Sequence, residues 1–365
     1  MTMRVVLRAD ASVTIGTGHV MRCLTLADAL RQRGAECHFV TRNLPGHLGA
    51  VIAGQNFPLS LLPAPSGPSP EGPPAHAAWA GVSWQQDLSD TLAVISPADW
   101  LVVDHYALDA RWESGILNRV GRIMVIDDLA DRPHDAELLL DQNLGRTCRD
   151  YRDLVPKNCQ LLIGPHYALL RPEFSVYREA ALLGRQTPNL AHMMITMGGI
   201  DSTDATSAVL RAIKDATLPE DLRISVIMGS RAPALDSVRL LAAALPWTTE
   251  VLVDVSDIAA IMADADLAIL AGGSTNWERC CLGLPGIVVV TAENQTTSAA
   301  AMERAGAALW IGKHPDSRFS DRLLHAVCQI QVAEFWPNRV SLAASICAGD
   351  GAIRVANVLG LDKWK

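Results

Sequence analysis

Short apolar runs alternate with segments of helical periodicity along most of this chain, and no other feature narrows the possible folds as much. Arg4 to Ala9 (RVVLRA) reads as a buried strand, followed by a glycine-bearing loop. A helix from about His19 comes next, with Val20, Leu24, Ala27 and Leu30 at helical spacing. Gly34 is a stop signal, and Cys37 to Thr41 is the next strand. Leu101 to Asp104 and Ile123 to Asp127 follow, each ending in aspartate. A second block opens after Gln186 to Ala191, with His192 to Thr196 as a strand, a glycine turn at Met197 to Asp201, and a helix from about Thr203. Ile224 to Met228, Glu250 to Asp254, Leu267 to Leu270 and Ile287 to Val290 are its later strands. Buried strands joined by helical crossovers imply parallel, doubly wound sheets. The expected fold is therefore α/β, with two Rossmann-like domains facing across a cleft. Residues 1–186 form the expected N-terminal domain and 187–345 the C-terminal one, while 346–365 carry a helix at Gly351 to Leu359 that could pack back on the first. The Pro-, Gly- and Ser-rich stretch from Pro63 to Pro74 reads as a surface loop.

Composition excludes several classes of function. A net charge of -8 argues against a nucleic-acid binder. It leaves phosphorylated ligands open, because helix N-terminal amides hold phosphate without net positive charge. The N-terminal apolar run is too short for a signal peptide, and no uninterrupted apolar stretch is long enough to span a membrane. A cytoplasmic protein without membrane insertion is expected, with a monomer favoured. The 8 cysteines lack paired CxxC spacing, so buried free thiols are expected. Asp127 and Asp128 are adjacent acids, but strand neighbours point to opposite faces and rarely share one metal. Neither metal nor cofactor is implied.

The first constellation is I-G-T-G-H-V-M-R, from Ile15 to Arg22. Gly16 and Gly18 let the backbone turn sharply and approach a ligand. His19 then lies in the first helical turn, where the helix dipole favours a neutral imidazole able to accept a proton from water. A glycine turn with an incidental histidine fits the same spacing. Asp10, ending the preceding strand, could orient the imidazole, bind a sugar hydroxyl, or simply cap a turn.

The second is L-A-G-G-S-T-N-W-E, from Leu270 to Glu278, which leaves a strand and opens a helix. Gly272, Gly273, Ser274 and Thr275 offer amides and hydroxyls suited to a diphosphate. Glu278, one turn beyond Ser274, can accept two hydrogen bonds from a ribose diol. An ordinary capped helix start is the plainer reading. No GxxxxGK[ST] pattern occurs, which argues against ATP hydrolysis. Asn294 and Gln295 follow a strand and suit hydroxyl and acetamido groups, or a polar turn. Asp104, His105 and Tyr106 close a first-domain strand, and Asp141 to Asn143 form another polar exit. Tyr167 and Arg171, one turn apart if helical, suit a domain junction.

In order along the chain, I-G-T-G-H-V-M-R, V-D-H-Y, I-D-D-L, L-L-D-Q-N, Y-A-L-L-R-P-E-F, M-G-G-I-D, G-G-S-T-N-W-E and E-N-Q resemble the UDP-sugar hydrolases of pseudaminic acid biosynthesis. That family is similar to the peptidoglycan glycosyltransferases of the GT-B fold. The resemblance implies metal-independent water attack at the anomeric carbon of UDP-2,4-diacetamido-2,4,6-trideoxy-β-L-altropyranose, releasing UDP. It places the essential histidine on His19, the nucleotide loop on Gly272 to Glu278, the amide pair on Asn294 and Gln295, and a substrate contact on Tyr106. Flagellin or a surface polysaccharide is the implied destination of the product. The Pro63 to Pro74 loop departs from the family by its length. Two rivals use the same ligand: a GT-B transferase, which passes the sugar to an acceptor, and a non-catalytic nucleotide-sugar-binding protein.

Overall fold

β1 (Arg4–Ala9) alternates Val5, Leu7 and Ala9 into one face of a sheet with Val6 and Arg8 on the other, and only Arg4 is exposed. The computed structural model describes residues 2–186, 190–330 and 335–360. After β1 come α1 (Gly18–Arg31), β2 (Glu36–Arg42), α2 (Gly49–Gly54) and β3 (Leu59–Leu62). A loop then leads to α3 (Trp84–Val94), β4 (Ala98–Asp104), α4 (Ala110–Ile116), β5 (Val120–Ile126), β6 (Leu138–Asp141) and β7 (Gln160–Ile163). The strands form one parallel sheet in the order β3-β2-β1-β4-β5-β6-β7. Its order reverses between β1 and β4, whose last residues Ala9 and Asp104 are register partners. The two loops leaving these strands therefore start side by side, where an open parallel sheet takes its ligands.

The second sheet repeats the plan. Its elements begin with α5 (Pro172–Gly184), β8 (His192–Thr196), α6 (Ala205–Ile213), β9 (Arg223–Met228), α7 (Leu235–Ala243), β10 (Thr248–Val253) and α8 (Ile258–Asp264). They continue with β11 (Leu267–Ala271), α9 (Thr275–Cys281), β12 (Gly286–Val290), α10 (Thr296–Arg304), β13 (Ala308–Lys313), α11 (Phe319–Ile330) and α12 (Phe335–Ile346). The order is β10-β9-β8-β11-β12-β13, again all parallel, with the reversal between β8 and β11.

The chain divides into two units, Met1–Leu170 with Asp350–Lys365, and Arg171–Gly349. The boundary expected after residue 186 falls earlier because α5 packs against α8 and α9 of the second unit. The return comes at Asp350, where α13 (Gly351–Val358) lies on α1. Val355, Ala356 and Leu359 share a core with Val20 and Leu24, and the Trp100 indole donates to the Leu359 carbonyl at 3.1 Å. Residues 187–189, which begin the expected second domain, and 361–365, which end the expected C-terminal segment, lie outside the described residues. No helix among the described residues is long and apolar enough to cross a membrane. Not every cysteine is a buried thiol: Cys148 and Cys328 are exposed and Cys159 is half-buried, because they sit on loops or an outer helix face.

Candidate active site

In the first unit the chain leaves β1 through a loop tied by Ser12. Its hydroxyl accepts from the amides of Thr14 and Ile15, and its carbonyl from Gly16 at 2.8 Å. Gly16 has φ +82°, a conformation that costs an L side chain energy, so glycine serves here for its backbone. Gly18 then opens α1, and no side chain caps the helix start at Thr17.

His19 follows in the first turn, only 7% exposed. Its Nδ1 lies 2.6 Å from Oδ1 of Asp104, the last residue of β4. Arg22, one helical turn after His19, grips the same carboxylate, with Nε 2.6 Å from Oδ2 and Nη2 2.6 Å from Oδ1. Burial penalises charge on Asp104, but Arg22 and then His19 outweigh it and hold the carboxyl well below its usual range. An ionised carboxylate can only accept, so Nδ1 carries the proton and donates it to Asp104. In the neutral ring that tautomer puts the lone pair on Nε2, where a base needs it.

Arg22 also reaches Asp128 at 3.2 Å, and Asp128 accepts a hydrogen bond from the Tyr106 hydroxyl. The Tyr106 ring stands edge-on to the imidazole with centroids 4.6 Å apart. Burial, followed by the Asp128 charge, raises the Tyr106 pKa well above its ordinary value, so the phenol stays protonated. Gly16, Gly18, His19 and Tyr106 are thus brought together.

Asp10 is not part of this group. Its carboxylate is fully buried and accepts from Arg8 at 2.6 and 2.9 Å, from the Thr41 hydroxyl, from the Arg42 amide and from His105 Nε2. The orienting role that Asp10 could have filled belongs to Asp104. His105 is occupied too, since its Nδ1 accepts from the Ala107 amide. The adjacent acids part company: Asp127 pairs with Arg132 at 2.7 Å, whereas Asp128 serves Arg22 and Tyr106. Among the described residues no group of three or more His, Cys, Asp or Glu side chains is arranged to hold a metal.

In the second unit, β11 runs into the turn at Gly272 and Gly273. The Gly272 amide donates to the Val289 carbonyl at 2.8 Å, so it continues the sheet and is not free for a phosphate. What Gly272 supplies is room: a Cβ there would come within 3.0 Å of Cβ of Gln295. Among the described residues, nothing accepts from the amides of Gly273, Ser274 or Thr275, and the Ser274 side chain makes no cap. Asn276 fixes this turn by donating to the carbonyls of Ala271 and Gly273, and is held in turn by Arg279. Glu278 is half-buried, and burial pushes its carboxyl up to about 7 against the pull of Arg171. Gln295 sits beside the turn, with Oε1 accepting from the Thr291 amide at 2.9 Å, while Asn294 is exposed. Gly272, Gly273 and Gln295 are neighbours, as are Ser274, Thr275 and Glu278 along one short helix.

Sequence reasoning missed Asp104 and Arg22 as partners of His19. The signals were an acid ending a strand at the sheet reversal, and an arginine three residues after the histidine. It also missed Trp79, on a 3-10 turn at Ala77–Ala80, and His76, which precedes that turn; both pack against Tyr106.

No protein-family model matches the chain. It is 30% identical over 214 residues to the spore coat polysaccharide biosynthesis protein SpsG of Bacillus subtilis, a match over 57% of this chain that spans 60% of that protein's length. It is 25% identical over 307 residues to the UDP-2,4-diacetamido-2,4,6-trideoxy-beta-L-altropyranose hydrolase of Campylobacter jejuni, covering 83% of this chain and 97% of that one. Among solved structures it is similar to MurG of Acinetobacter baumannii, with a TM-score of 0.68 and 16% identity over 98% of this chain and 99% of that one. It is also similar to LpCGTa in complex with UDP, with a TM-score of 0.66 and 13% identity over 99% of both chains. With the two parallel sheets, these likenesses establish the two-domain α/β fold of the GT-B glycosyltransferases.

Proposed function

We propose that this protein hydrolyses a UDP-linked 2,4-diacetamido-2,4,6-trideoxy hexose at its anomeric carbon, releasing UDP and the free sugar for pseudaminic acid (nonulosonate) biosynthesis. The observation that carries the reading is the buried His19, anchored by Nδ1 to Asp104 with Nε2 left as a base. Nε2 takes a proton from water as the water oxygen bonds to C1. The C1–O bond to the β-phosphate breaks, and its electron pair leaves with UDP. The Asp104 carboxylate balances the imidazolium that forms, and the proton then passes to solvent.

The second unit supplies the nucleotide site in this reading. The amides of Gly273, Ser274 and Thr275 take the diphosphate and stabilise the charge that builds on it, and Glu278 takes the ribose diol. Gln295 and the exposed Asn294 are the sugar-contacting amides of this unit, and in the first unit Tyr106, beside His19, has that role. The similarity to the Campylobacter jejuni hydrolase along most of both chains supports this substrate. The reading needs no cofactor, and it has a monomer acting in the cytoplasm. A second reading, transfer of the sugar to an acceptor, is favoured by the glycosyltransferases among the solved structures of similar fold.

Incubation with the UDP-sugar in ¹⁸O-water, with EDTA and no acceptor, tests the proposal. Label in the free sugar, sampled before anomeric exchange, with unlabelled UDP is the expected result. Label in UDP would mean attack at phosphorus and would overturn the mechanism. UDP release that appears only when an acceptor is added would make the protein a transferase.

A further inference from the structure

Beside His19, two aromatic side chains that the proposed reaction does not use, His76 and Trp79, pack on Tyr106. Trp79 stacks on Tyr106, with centroids 5.4 Å apart and planes at 28°. His76, one turn earlier, lies 4.6 Å from Trp79 and 5.4 Å from Tyr106. Trp79 in turn stands edge-on to the His19 ring, with centroids 6.4 Å apart. Trp79 and His76 are only half-buried, unlike the core aromatics Trp112 and Phe39, which are sealed from solvent. A partly open indole beside a candidate base is an unusual place to spend apolar surface, unless a ligand covers it.

The chemistry of the wall narrows what would cover it. Burial lowers the His76 pKa, so its ring is predominantly neutral near pH 7. The Tyr106 hydroxyl is committed to Asp128 and its ring is buried against Trp79, His76 and His19, so the half-buried Trp79 and His76 are the surface on offer. Neutral aromatic faces gain from C–H and methyl groups and offer hydroxyls no partner.

We propose that the turn bearing His76 and Trp79 is a sugar-specificity element, with the Trp79 indole packing on the apolar face of the hexose and selecting a methyl over a hydroxymethyl group at C5. This deepens the proposed function and rests on it, since it takes the sugar of a UDP-sugar to lie beside His19. The turn follows directly on the proline-rich stretch from Pro63 to Pro74, which leads the chain to it.

Binding, not turnover, provides the test. Calorimetry on His19→Ala would compare UDP, UDP-N-acetylglucosamine and its 6-deoxy analogue, with and without Trp79→Ala or Trp79→Phe. A preference for the 6-deoxy sugar that falls about tenfold in Trp79→Ala, persists in Trp79→Phe and leaves UDP affinity unchanged is expected. A preference unaltered by Trp79→Ala, or a lower melting temperature as the only effect, would overturn the proposal. UDP binding with no discrimination between the two sugars would overturn it as well, while leaving the hydrolase reading intact. Failure to bind UDP at all would sink both.

Discussion

Asp104 accepts a hydrogen bond from Nδ1 of His19 at 2.6 Å across 85 residues of sequence, and the same carboxylate is clamped by Arg22. The clamp matters because it keeps Asp104 ionised, and ionised it can only accept. Asp104→Asn presents an amide that can hydrogen-bond either tautomer, so the lone pair need no longer sit on Nε2. Turnover should fall about 100-fold or more, while UDP affinity measured by calorimetry stays within about twofold. Loss of UDP binding instead would show that Asp104 holds the fold and not the base.

Glu278 links nucleotide binding to pH. Its carboxyl is raised to about 7, and only the ionised form can accept both hydroxyls of a ribose diol. Binding should therefore release a proton below pH 7, and affinity should strengthen as pH rises through that value. Glu278→Gln should weaken binding and remove this component, leaving only the pH dependence of the diphosphate itself. Calorimetry in buffers of different ionisation enthalpy reads the proton directly. A wild type and variant with the same proton count would detach Glu278 from the nucleotide.

Asp10 belongs to stability. With Arg8, Asp87 and Arg42 it forms a buried cluster of charges in which each arginine meets at least one carboxylate within 3 Å. Burial opposes charge on Asp10, yet Arg8 and His105 together hold it well below the ordinary carboxylate range. Removing one partner strands the others without solvent, so Asp10→Ala should cost about 3 kcal/mol in urea unfolding. Activity per folded molecule should change by no more than a few-fold. A stable Asp10→Ala with abolished turnover would return Asp10 to the active site.

The contrast between Asp10 and His19 shows what a sequence can disclose. β1 and β8 are legible to the residue because strands buried on both faces carry apolar residues on both, Val5 to Leu7 in one and Met193 to Ile195 in the other. β3 and β7 are harder to read, since Leu59–Leu62 and Gln160–Ile163 are short and partly exposed. His19 stands out because Gly16 and the strand before it mark a ligand turn. Asp10 misleads because a carboxylate ending a strand reads alike whether it faces a ligand or a buried arginine. The cue was Arg8: two residues apart on a strand, positions 8 and 10 share a face, and an arginine in an apolar strand needs an acid. The role of Asp104 follows only once β1 and β4 are known to be neighbours, which periodicity does not reveal.

Asp141 gives the fold a pH dependence of its own. It ends β6, accepts from the Asn143 amide at 2.8 Å and from the Tyr151 hydroxyl at 2.8 Å, and lies near Asp127 and Asp128. Burial is the largest influence and outweighs those hydrogen bonds, and the pKa is raised to about 7. A carboxyl with a higher pKa folded than unfolded binds more protons in the native state. Its contribution is therefore fully present below the unfolded value of 3.8 and is lost as pH rises through about 7. Asp141→Asn keeps an acceptor for Asn143 and never ionises. Measured by urea unfolding between pH 4 and pH 8, the variant should gain on the wild type by up to about 1.4 kcal/mol per pH unit, levelling off above 7. A constant difference across that range would mean that Asp141 is ionised throughout, its charge balanced by Arg146, whose Nε lies 3.6 Å away.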